Sequence, residues 1–117
     1  MKDDIQKKIT YRFYPLKKLV IVNGWKFNEI VISSHYEEKH SFYMNDEKIL
    51  KIAEQLDKRD GFIPHRQGKL PSGVEWQSFF WEPFFHENQA HRLVWYWEIG
   101  NPQLLIIHCH RRSKYES

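Results

Sequence analysis

Apolar positions recur along this chain with two different periods. In "NDEKILKIAEQLDKRDG", residues 45–61, Ile49, Ile52, Ala53 and Leu56 return every three or four positions, which places them on one face of a helix. Asn45 or Asp46 can cap its start with a side-chain oxygen, and Asp46 and Glu47 complement the positive end of its dipole. Gly61 can close it in a left-handed conformation. Upstream, "SSHYEEKHS" predicts a shorter helix opened by Ser33 or Ser34, with His35 stacked over Lys39 and Tyr36 over His40. From residue 61 onward the period is two. "VEWQSFFWE", "HRLVWYWEI" and "QLLIIHCHR" are rich in aromatic and branched residues and are separated by the turn-forming "PFFHENQA" and "GNP". "GFIPHRQ" adds a shorter fourth strand. Ahead of all this, "YRFY" and "KKLVIV" lead through Asn23-Gly24 into "KFNEIVIS", which predicts a hairpin. The expected architecture is α+β: two N-proximal helices on one face of an antiparallel sheet of about four strands, with an extra N-terminal β segment. One domain is expected over 1–117, divided into an extension at 1–27 and a core at 28–116.

Alternation also predicts which way the side chains of the last hairpin point. Pairing Ile99 with Gln103 sets Trp97 against Leu105, Trp95 against Ile107 and Leu93 against Cys109, an apolar set fit for the core. The other face then gathers Arg92, Val94, Tyr96 and Glu98 with Leu104, Ile106, His108, His110 and Arg112. A slip of one residue would mix the two sets. Carried across the preceding loop with Trp81 beside Arg92, the same parity puts Trp76, Ser78 and Phe80 in the core and Glu75, Gln77, Phe79 and Trp81 outside. Rings beside cations and imidazoles suit nucleic acid, since rings stack bases, cations meet phosphate and imidazoles move protons.

Charge narrows this picture only locally. Eighteen Lys and Arg against 15 Asp and Glu leave +3 overall, so an anionic partner must be met by clustering, and residues 108–114 hold no acid. The lone Cys109 excludes an internal disulfide and falls on the core side as an inert thiol. "MKDDIQKKIT" lacks the apolar run of a signal peptide and nothing approaches a membrane span, so a soluble, cytoplasmic protein without membrane contact is expected. His108 and His110, two apart on one strand, can reach one site. As metal ligands they would want a third, such as His35 or Glu98; as surface groups they need no function; as acid and base they suit neutral pH. Arg92, Arg111 and Arg112 offer planar forks for phosphate, or a charged sheet edge that deters pairing. Glu75 and Glu98 could act as bases or as partners for nearby cations.

With those residues in view, "SSHYEEKH", "NDEKILKIAEQL", "HRLVWYWEI" and "LLIIHCHRRSKY" together resemble the small ribonuclease toxins of the barnase, EndoU, colicin-type and RelE-like group, over roughly residues 28–116. The resemblance implies metal-independent RNA cleavage with no cofactor, on free RNA or on ribosome-bound mRNA or tRNA, restrained by a protein antitoxin or immunity protein. By position it implies phosphate contacts from Arg92 and Arg111 and a role for Tyr115. Two features depart from the group: alternation sets Arg92 with His110 and Arg112 rather than with Arg111, and compact RelE-like toxins lack the leading "YRFY…LVIV" segment. The expected site therefore has His35, His110, Arg92, Arg111 and Tyr115 as catalytic groups and Lys39, Trp81, His108 and Arg112 as substrate contacts, with no metal. The runner-up reading is a module that binds RNA or protein on the same face without turnover.

Overall fold

The computed structural model describes residues 9–37 and 43–111. Six strands form one sheet: β1 (Tyr11–Val22), β2 (Trp25–Ser33), β3 (Arg66–Lys69), β4 (Glu75–His86), β5 (Gln89–Glu98) and β6 (Gln103–Arg111), in the order β1-β2-β6-β5-β4-β3. This corrects the expected four-stranded sheet under two helices. Among the described residues the one complete α-helix is α1 (Asp46–Glu54), and in "SSHYEEKHS" Ser34–Tyr36 forms a 3-10 turn followed by Glu37 in helical conformation. Lys39 and His40 lie outside the described residues. No helix among the described residues is long and apolar enough to cross a membrane.

The N-terminal hairpin is part of the main sheet. Asn23 and Gly24 both take positive φ (52° and 80°) and join Val22 to Trp25 by a two-residue turn, the chemistry that Asn-Gly favours. β2 then pairs parallel with β6, Glu29 against Gln103 through Ile32 against Ile106. The reason is legible in β2 itself, where Ile30, Val31, Ile32 and Ser33 are all buried, the unbroken apolar run of a strand covered on both faces. β1 becomes an edge strand. Pro15 fits there because its missing N–H removes no inner ladder bond, and the pairing with β2 is interrupted between Pro15 and Val20.

α1 covers one face of this sheet with Ile49, Ile52, Ala53 and the following Leu56, the set its spacing predicts. Asn45 caps it by accepting a hydrogen bond from the Lys48 N–H at 2.9 Å. The helix ends at Gln55 rather than near Gly61, because turns carry the chain from 55 to 59 and Lys58 already takes the left-handed conformation. Beneath it the core is aromatic: Phe27 stacks on Trp97 at 5.1 Å, and Phe79 meets Trp97 at 4.4 Å and Trp95 at 5.4 Å. Phe62 closes the edge of this stack, 5.0 Å from Trp95 and 5.9 Å from Trp81.

The loop bearing Phe62 is held by one turn residue. Asn23 donates to the Phe62 carbonyl at 2.7 Å and accepts from the Phe62 N–H at 3.1 Å. Asn23→Gly keeps the left-handed backbone and removes both bonds, each with a net worth of about 1 kcal/mol. A loss of about 2 kcal/mol by urea unfolding is expected, and a change below about 0.5 kcal/mol would show that the clamp is idle.

Candidate functional site

Two register changes decide what the open face of the sheet carries. Strands β5 and β6 follow the predicted register at one end, with Arg92 opposite His110, Leu93 opposite Cys109 and Val94 opposite His108. Between Val94 and Trp95 the register shifts, Trp95 pairs with Ile106, and Ile107 is the extra residue. This bulge re-aims the strand. Leu104 and Ile106 are buried in the core, while Leu105 and Ile107, predicted for the core, line grooves on the opposite face. His108 and His110 stay on that opposite face with Arg92.

The second change overturns the predicted place of Trp81. β4 and β5 run on through "PFFHENQA" and meet in a two-residue turn at Glu87 and Asn88, both with positive φ. The register then shifts between Trp81 and Phe84, so Trp81 lies opposite Leu93, not Arg92, and packs on the core side with the Arg59 guanidinium 4.6 Å from its ring. Phe79, expected outside, is buried, and Phe80, expected inside, is 40% exposed. Phe80 stands on the open face in the position expected for Trp81. Its ring lies 4.8 Å from the Arg92 guanidinium and 5.0 Å from His65. Arg92 also pairs with Glu82 at 3.2 Å, which fixes the guanidinium over the sheet.

The 3-10 turn after β2 brings His35 to the same place. Ser33 shapes this turn by accepting from the His35 N–H at 3.2 Å. Because β2 and β6 run parallel side by side, the end of β2 delivers His35 beside the end of β6. The His35 and His108 rings are 5.3 Å apart and the His108 and His110 rings 4.6 Å apart. His35 is exposed and the other two are half-buried. A row of imidazoles, exposed at His35 and half-buried at His108 and His110, therefore borders Arg92 on the face away from α1. Among the described residues no three metal-ligating side chains are grouped to hold an ion.

Arg111 is not brought to this row. Alternation sends it to the helix-covered side, where it lies over the Tyr43 ring at 4.4 Å and donates its backbone N–H to the Tyr43 hydroxyl at 3.1 Å. Lys39, Arg112 and Tyr115 fall outside the described residues. Phe80 and Glu82 were missed as neighbours of Arg92, and His65 as a neighbour of Phe80. The Glu87-Asn88 pair marks the turn, but an unbroken ladder from it would set Trp81 opposite Val94 on the open face; the register shift between Trp81 and Phe84 reverses the parity of β4.

A separate pair of imidazoles sits on the helix side. His91, opposite Arg111, is 3% exposed, its ring 5.9 Å from that of His86 and its Nδ1 2.8 Å from the Gln89 carbonyl. Burial pushes its pKa down, and the Gln89 carbonyl only partly opposes this. A depressed imidazole takes up its proton more readily in the unfolded chain, so stability falls as pH drops below about 6.5. His91→Gln is expected to flatten the slope of unfolding free energy between pH 5 and pH 6.5, checked by denaturation across that range; an unchanged slope would assign it elsewhere.

On the open face beyond His35, two grooves run side by side. One of about 410 Å³ is lined by Tyr11, His35, Tyr96 and Ile107 among others. The next, about 190 Å³, adds Phe13, Glu98, Asn101 and Gln103. Tyr96 donates to Glu98 at 2.9 Å, and burial together with that carboxylate pushes its hydroxyl up to about 12, so it remains a protonated donor. No family model, curated protein or solved structure matches this chain.

Proposed function

We propose that this chain is a metal-independent endoribonuclease that works on the face of its sheet away from α1. The observation that carries the reading is the convergence of His35, His108 and His110, from two separate elements, beside Arg92. A surface that only bound RNA would need cations and rings; a row of imidazoles adds groups that exchange protons near neutral pH. In the proposed step one imidazole takes the proton of the RNA 2′-hydroxyl, whose oxygen bonds to phosphorus. The bond to the 5′-oxygen breaks, and a second imidazole, protonated beforehand, gives its proton to that oxygen. Arg92 meets the charge on the phosphate oxygens, held in position by Glu82. His35 and His110 stand at the two ends of the row and are assigned the two proton transfers, with His108 between them. Such an enzyme acts in the toxin manner and needs a protein inhibitor while it is made; an acidic group of that partner suits the Arg92 guanidinium.

The test is incubation of purified protein with a labelled single-stranded RNA in a chelating buffer, with and without ribosomes. Products ending in 2′,3′-cyclic phosphate and 5′-hydroxyl are expected. If neither condition yields them while the RNA is retained, the binding-module reading takes over, supported by the exposed rings of Tyr11, Phe13 and Phe80.

A further inference from the structure

The hairpin that adds β1 to the sheet also widens its open face. Tyr11 and Phe13 lie opposite Ser33 and Val31, and they are 52% and 57% exposed. Large rings in that state, on a strand that already has its full partner in β2, add little to folding. The two grooves share Tyr11, Tyr96 and Leu105, so they form one channel that starts at His35 and ends at Glu98 and Gln103. Its walls carry rings and its far rim carries amide and carboxylate groups, with no lysine or arginine among the lining residues. Arg92 lies beyond the other end of the imidazole row, opposite His110. Phosphate therefore suits one end of the face and uncharged bases, with edges that hydrogen-bond, suit the other.

We propose that β1 builds a base-stacking channel on this face, so that the substrate is single-stranded RNA whose unpaired bases lie on Tyr11, Phe13 and Tyr96 while its phosphate reaches the imidazoles. The proposal rests on the nuclease reading for the phosphate position. Duplex RNA cannot use such a channel, because its ring faces are already stacked. A ring that stacks one base changes affinity by roughly tenfold when truncated.

The experiment measures anisotropy of a fluorescent 2′-O-methyl oligonucleotide, which offers no attacking hydroxyl, as a single strand and as a duplex of the same sequence. The single strand is expected to bind at least about tenfold more tightly. Tyr11→Ala with Phe13→Ala is expected to weaken it about tenfold or more, and Tyr11→Phe to keep it within about twofold, with thermal melting confirming an intact fold. On cleavable RNA the double variant should raise KM and leave kcat within about twofold. Equal affinity for duplex, or single-strand affinity unmoved by the double variant, overturns the channel. Sedimentation showing that the double variant only splits a dimer of this chain would overturn it in favour of a second copy. Loss of affinity in the variant without any cleavage by the parent protein would sink the nuclease reading and keep the channel. Cleavage with an unmoved KM would do the reverse.

Discussion

His35→Ala and His110→Ala are each expected to slow cleavage of single-stranded RNA by at least about 100-fold, the lower end of what a positioned acid or base contributes. His35 is exposed and His110 half-buried on the open face, so neither change opens the core and melting should move by no more than a few degrees. The two residues serve one step, hence the double variant should fall little below the worse single one. Each single variant should also lose one limb of a bell-shaped dependence of rate on pH. Arg92→Lys keeps the charge but loses the planar fork that meets Glu82 and phosphate together, and a loss nearer tenfold is expected. Wild-type rates in both histidine variants would remove the imidazole row from the chemistry.

Asp46→Asn is expected to destabilise the protein by about 2–3 kcal/mol. Asp46 accepts from Arg12 at 2.5 and 2.7 Å, from the Tyr36 hydroxyl at 2.7 Å and from the Tyr14 hydroxyl. Arg12 also reaches Glu37 at 3.0 Å. One carboxylate at the first turn of α1 thus ties the helix to β1 and to the 3-10 turn that carries His35. Removing its charge leaves Arg12 and two tyrosines short of an acceptor; a fully buried pair would cost about 3–5 kcal/mol, and partial exposure of Arg12 lowers that figure. Burial works against the charge on Asp46, but the hydrogen bonds from Arg12, Tyr14 and Tyr36 outweigh it and hold the carboxyl at about 2, below its ordinary 3.8. A depressed carboxyl binds its proton less readily in the folded protein than in the unfolded chain. Its contribution, about 2 kcal/mol, is therefore complete above about pH 4 and lost as pH falls toward 2. Urea unfolding from pH 6 to pH 2 should show this acid-dependent loss in the wild type and not in Asp46→Asn. Parallel curves would assign the loss to other groups.

Some of the candidate site was legible in the chain. Cys109, His110 and Arg111 alternate between faces, and the apolar character of Leu93 and Cys109 was enough to place Arg92 and His110 together. The parity failed where a strand gained or changed by one residue. Ile107 is a strong strand former, and nothing local marks it as the extra residue of a bulge. Its cost is settled by the aromatic core, which takes Leu104 and Ile106 instead of their neighbours. Trp81 failed for the same reason: β4 and β5 continue through most of "PFFHENQA", and the register shift between Trp81 and Phe84 turns Trp81 to the core side and Phe80 to the open face.

The local chemistry of this chain determined the turn at Asn23-Gly24, the cap at Asn45, the buried stripe of α1 and the strand character of "HRLVWYWEI" and "QLLIIHCHR". These depend on backbone conformation and on periodicity within a dozen residues. Only the tertiary structure decided that β2 lies parallel against β6, that His35 therefore stands beside His108, and that Phe80 rather than Trp81 borders Arg92. Those outcomes depend on which strands share a ladder, and that choice is made by burying the rings of Phe27, Phe79, Trp95 and Trp97 in one core, an energy shared by segments some seventy residues apart.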